Sequence, residues 1–150
     1  MKKKWIAIVL VSMCACLFFL PAKPAHAISV VVNGQYLTGL SQEPVMVGDR
    51  TYVPMRGVFE QFGTVEWNES QRTVTVSANN VGMHMLVGSD YAMVWDYDNG
   101  VAVNHRWIYM GEPSWILNGR VMLPVRVVAE TLKAKVEWLQ SSQIIYIDTY

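Results

Sequence analysis

The sequence predicts an α+β fold: a small antiparallel sheet with two short helices, built from a strand–proline–helix–hairpin motif that occurs twice. Three observations carry this prediction. Residues 50–67 and 120–138 match at an offset of 70, which becomes 71 after one inserted residue. The stretches around them are short, alternate apolar with polar residues, and are bounded by turn pairs such as Asn33-Gly34 and Asn118-Gly119. Both cysteines, Cys14 and Cys16, sit in the leading apolar run, so the fold must rest on its core and not on cross-links.

The first 27 residues read as a signal peptide. Lys2, Lys3 and Lys4 precede an apolar run of 16 residues, Trp5–Leu20, and then a small-x-small cleavage signal, Ala25-His26-Ala27. Pro21 and Pro24 break any helix ahead of the cut. A retained membrane anchor would want about 20 apolar residues. Lipidation fits poorly, because Cys16 is preceded by Met13 and Ala15 and still followed by Phe18, Phe19 and Leu20. Residues 28–150 are therefore expected to form one secreted domain, extracellular or wall-associated, with internal repeats at about 48–78 and 118–148. Its only expected contact with the membrane is the signal peptide before cleavage. A chain of this size can bury about two-thirds of its unfolded surface.

The formal charge of zero hides an imbalance. Four of the 12 basic residues (Lys2, Lys3, Lys4, Lys23) lie ahead of residue 28, and no acidic residue does, which leaves 8 basic against 12 acidic groups. A net charge near −4 with no basic run argues against nucleic acid as a partner.

The elements follow in order. Ser29–Val32 reads as a strand meeting the turn Asn33-Gly34. In the first repeat, the strand Thr51–Val53 enters Pro54 and a helix Met55–Phe62, whose Met55, Val58, Phe59 and Phe62 keep one apolar face. Gly63 suits a left-handed helix cap. A hairpin follows, Val65–Trp67 and Arg72–Ser77 around Asn68–Gln71. Strands at Met83–Val87, Tyr91–Trp95 and Val101–Val103 come between the repeats, with Asp96–Gly100 as a turn. In the second repeat Val121–Leu123 enters Pro124 and a helix Val125–Leu132; Lys133 stands where the first copy has its glycine, and Gln143–Asp148 closes the hairpin.

The twice-recurring order Arg-x-x-Val/Leu-Pro-x-Arg-x-x-x-Glu, then Val-x-Trp and a hairpin, resembles the copper amine oxidase N-terminal-like domain, or stalk domain, of secreted Gram-positive proteins. The resemblance spans about residues 28–148. It implies a small antiparallel sheet packed on a helix, and an accessory module exposed at the cell surface. In amine oxidases the copper and the quinone belong to a separate catalytic domain with three histidine ligands. No copper residue carries over, and no cofactor is expected. The chain departs from the family pattern at Lys133 and in the segment Trp95–Trp115.

Most catalytic chemistry finds no support in the residues. His84 and His105 are too few for a metal site without cysteine or an H-E-x-x-H spacing. There is no G-x-S-x-G elbow, and Glu66 and Glu137 are hydrolase candidates only by being acidic. Asp96–Gly100 resembles the start of a calcium loop, but its glycine comes one position early and Trp107 stands where a bidentate Glu belongs. Arg56–Glu60 and Arg126–Glu130 have helix spacing and read first as scaffold ion pairs, second as a duplicated anion or sugar clamp. Trp67 and Trp138, at matching positions, read as packing residues. The unmatched rings Trp95, Tyr97, Trp107, Tyr109 and Trp115 are the candidate ligand-binding surface. The expected function is thus non-catalytic binding of cell-wall polysaccharide or an envelope protein. The alternative is a self-assembling stalk unit, and a small envelope hydrolase is the least favoured.

Overall fold

The computed structural model describes residues 27–150, so the expected signal peptide, apart from Ala27, lies outside the described residues. No helix among the described residues is long and apolar enough to cross a membrane. Strands dominate. β1 (Ser29–Val32) and β2 (Gln35–Tyr36) form a hairpin around Asn33 and Gly34, whose φ values of 49° and 78° are both left-handed. Such a two-residue turn needs that conformation at both positions. β3 (Val45–Val47) and β4 (Arg50–Pro54) form the next hairpin, ahead of α1 (Met55–Val58) and a 3₁₀ turn, Phe59–Gln61. β5 (Thr64–Asn68), β6 (Thr73–Ala78), β7 (Val81–Leu86), β8 (Tyr91–Asp98) and β9 (Val101–Tyr109) run as an antiparallel meander. β10 (Trp115–Leu117), β11 (Arg120–Pro124), α2 (Val125–Thr131), β12 (Ala134–Leu139) and β13 (Ile144–Thr149) complete the chain.

One antiparallel sheet was the expectation; the strands instead form three sheets, and one pair is parallel. The sheets run β12-β13-β1-β2, β10-β11-β4-β3 and β5-β6-β7-β8-β9. β1 lies parallel to β13, from Ser29 opposite Ile144 to Val32 opposite Ile147. Three successive valines, Val30 to Val32, are buried, as suits a strand covered on both faces. β4 and β11 meet antiparallel at Val53 and Leu123. Both pairings join residues far apart in sequence, where local pattern is silent.

The helices correct the expectation differently. α2 runs one residue short of the expected Val125–Leu132. The expected helix Met55–Phe62 is broken, because Arg56 has ψ 152° and Gly57 has φ 83°. Pro54 and Pro124 end their strands as helix N-caps, so the helices start at Met55 and Val125, as expected. Gly63 is no left-handed cap: a Cβ there would lie 2.5 Å from the Ser77 carbonyl oxygen, so closeness of backbone requires the glycine. Lys133 takes the left-handed position itself, at φ 61°. All three sheets feed one buried cluster that includes Val30, Val53, Phe59, Val76, Met83, Leu123, Leu132 and Ile147.

Candidate functional site: an aromatic sheet face

Side chains alternate between the two faces of a strand. In the five-stranded sheet Val74, Val76, Met83, Met85, Ala92 and Val94 turn to the core. The opposite face is therefore set by register. Glu66, Thr75, His84, Met93 and Trp107 stand opposite one another across all five strands. Tyr91 stands opposite Tyr109, and their rings are 5.2 Å apart. Trp107, Tyr109 and Tyr91 are 66%, 62% and 50% exposed. Polar groups border the rings: Thr75 Oγ1 and His84 Nδ1 share a hydrogen bond of 2.9 Å, and a shallow hollow beside them is lined by Glu66, Asn68 and Thr73.

A β-bulge sets the far end of this face. Between the pairs Val94–Arg106 and Asp96–Val103, β9 carries one extra residue, and Asn104 adopts φ 54° there. Bulges shift the alternation of a strand; His105 shares the face of Trp107 by ordinary alternation, and beyond the bulge that face passes to Ala102, opposite Tyr97. His105 stacks on Trp95 with ring centroids 6.0 Å apart and an interplanar angle of 26°. Trp95 lies flat on Gly82, where a Cβ would come within 2.1 Å of the indole. Its buried Nε1 has no hydrogen-bond partner. Tyr97 meets Trp95 edge-on at 6.2 Å and shares a hydrogen bond with Ser77 Oγ.

Of the five rings singled out in the sequence, four thus share one sheet face and one does not. Trp107 and Tyr109 are open, Trp95 and Tyr97 are half-buried supports, and Trp115 belongs to another sheet, edge-on to Tyr52 at 5.5 Å. Tyr91 and Met93 escaped the sequence reading, and His84 and His105 were weighed in it only as metal ligands. The alternation Tyr91, Met93, Trp95, Tyr97 along one strand was the signal for the first two. Trp67 and Trp138 pack half-buried against the core.

Other candidate chemistry does not assemble. Glu66 and Glu137 lie in different sheets, and Glu137 is held by Lys135 at 2.5 Å. That contact raises the Lys135 pKa above its ordinary 10.5. Asp96 faces Arg106 at 3.3 Å, and Asn99 and Gly100 form an ordinary hairpin turn. Among the described residues no group of three His, Cys, Asp or Glu could hold a metal ion. The residues present do not fit copper, since His84 and His105 are the two histidines among the described residues and no third ligand gathers with them.

The described residues form a three-sheet module with an open aromatic face. The chain belongs to the copper amine oxidase N-terminal domain family, whose profile matches residues 31–147. That family is the non-catalytic N-terminal domain of those oxidases. No curated protein and no solved structure matches the chain.

Proposed function

We propose that this chain is a secreted, non-catalytic module that binds cell-wall polysaccharide through the outer face of its five-stranded sheet. The observation that carries the reading is the cluster Tyr91, Trp107 and Tyr109, open on a sheet and flanked by Thr75 and His84. Rings present flat apolar area to a sugar face at low entropic cost, and adjacent polar groups supply hydrogen bonds. The reading includes descent of the chain from two copies of one motif, supported by the offset of 70 and by the same element order in β3–β6 and β10–β13. The stalk alternative draws on the free edge of β9. Its bulge at Asn104 and its charged Arg106 are devices that oppose edge-to-edge pairing.

The test is retention of residues 28–150, which carry the whole core described above, on purified peptidoglycan and on chitin. Wild type should be retained, and the Tyr91→Ala/Trp107→Ala/Tyr109→Ala variant, checked for folding by circular dichroism, should bind at least ~10-fold more weakly. Failure of the wild type to bind either polymer would reject the glycan reading in favour of a protein partner.

A further inference from the structure

The β4–β11 pairing has a consequence away from the aromatic face. It sets the β3–β4 hairpin against the start of α2, and the β10–β11 hairpin against the start of α1. Two grooves result, with cavity volumes of about 280 and 400 Å³. The first is lined by Arg50, Arg126 and Trp138, together with Asp49 and Pro124. The second is lined by Arg120, Arg56 and Trp67, together with Glu69 and Pro54. The arginines and prolines of the two grooves are counterparts at the offset of 70, and the tryptophans at 71, whereas Asp49 and Glu69 are not counterparts. Each groove therefore takes one arginine from one half of the chain and an arginine and an indole from the other.

The lining has drifted between the grooves except at these groups. Met46 corresponds to Ile116, Asp49 to Gly119 and Thr51 to Val121, whereas both arginines, the proline and the tryptophan are identical. Residues kept only for packing would be buried; these arginines are exposed. Their ion pairs are long, Arg50–Glu112 at 3.8 Å and Arg56–Glu60 at 3.9 Å, on side chains that are open to water. Exposed pairs of this kind contribute little to stability. Arg120 and Arg126 make no ion pair among the described residues. Four of the six arginines in the sequence thus converge on two grooves of a domain, residues 28–150, that carries 8 basic against 12 acidic groups.

We propose that the two grooves are equivalent binding sites for units of an anionic sugar polymer. The paired guanidinium forks hold a carboxylate or phosphate oxygen pair, and the sugar ring rests against the indole. Arginine is suited to this, because its planar donors match both anions bidentately. Two sites on one small domain suit a repeating ligand, since engaging the second becomes intramolecular. The negative net charge of residues 28–150 gives no long-range attraction, so recognition is local and weakens with salt. Asp49 in the first groove and Glu69 in the second limit how far the anion enters; Glu69 is itself held by Trp67 Nε1 at 2.5 Å.

Calorimetry of residues 28–150 with a galacturonate trimer and with an N-acetylglucosamine 1-phosphate oligomer tests this, with chitotriose as the uncharged control. The expected result is two sites per chain for at least one anionic ligand, and which of the two binds identifies the anion. Arg50→Gln/Arg126→Gln and Arg56→Gln/Arg120→Gln should each leave one site, the lost site weakened at least ~10-fold. Arg72→Gln/Arg106→Gln removes the same charge outside the grooves and should bind within about twofold of wild type. Melting curves establish that each variant is folded. No binding of either anion, a stoichiometry of one in wild type, or equal weakening by the control variant would overturn the proposal. None of these outcomes touches Tyr91, Trp107 or Tyr109, so the aromatic-face reading stands or falls separately.

Discussion

The segments after Pro54 and Pro124 begin with the same pattern and end as different structures. After Pro124 the chain forms a continuous helix, and its end is managed by Lys133 in a left-handed conformation that hydrogen-bonds to Glu130. After Pro54 the helix breaks at Gly57 and resumes as a 3₁₀ turn. The difference follows the core. Phe59 is fully buried where the second segment has Ala129, also fully buried. A ring and a methyl group cannot fill the same space under identical backbones, because interiors are close-packed. Backbone form here yields to side-chain volume, and a shared motif fixes the strands and the proline more firmly than the helix.

Three experiments break or sharpen this comparison. The largest effect belongs to Phe59→Ala, which should cost about 3–5 kcal/mol in denaturant unfolding. A cost below ~1 kcal/mol would mean that packing does not hold the first segment. The reciprocal Ala129→Phe should also destabilise, by about 1–3 kcal/mol, because it overpacks a filled site. Next come the two segment ends, which should respond with opposite signs. Gly63→Ala forces a Cβ to 2.5 Å from the Ser77 oxygen and should destabilise by roughly 1–3 kcal/mol. Lys133→Gly removes a left-handed side-chain conformation and should stabilise by about 1 kcal/mol. Equal signs would show that the ends are managed alike.

The smallest effect concerns Tyr52, whose counterpart at the offset of 70 is the uncharged Met122. Burial raises the Tyr52 pKa above its ordinary 10.0, Glu112 adds to the rise, and Arg50 opposes it. The folded state thus prefers the neutral phenol more than the unfolded chain does. Its contribution is whole below the unfolded pKa of 10.0 and is lost as pH climbs through the higher folded value. Tyr52→Phe should flatten the decline in melting temperature above about pH 10. A residual slope is expected from Tyr146, which burial and the neighbouring Tyr36 also raise. An unchanged slope would remove Tyr52 from the account.

What the sequence made legible was local. Hairpins at Asn33-Gly34 and Asn118-Gly119, the strand at Tyr91 and the helix from Val125 all follow from turn residues and periodicity. The break at Gly57 was not legible, since a lone glycine signals only a modest helix penalty, and its cause lies in the packing of Phe59. Trp107 and Tyr109 could be placed on one face by parity alone. Trp95 could not be read as a support, because its seat is Gly82 on the adjacent strand. Trp115 could not be separated from the others until β10 was seen to join another sheet. The arginine grooves required β4 and β11 to meet, and that contact joins residues 70 apart at Val53 and Leu123.

The parallel pair β1–β13 gives the chain a mechanical character. Ser29 begins one strand and Thr149 ends the other, and the two strands run the same way. Tension applied between the beginning and the end of the domain is therefore directed along the strands, in shear. All the hydrogen bonds between them must then yield together, whereas an antiparallel hairpin pulled at its open end unzips bond by bond. Thr149 adds hydrogen bonds from its N–H and hydroxyl to Asn33 Oδ1, at 2.9 and 3.1 Å, and so clips the far end of the pair. A domain tethered at one end and loaded at the other would carry force through the part of its fold best arranged to resist it.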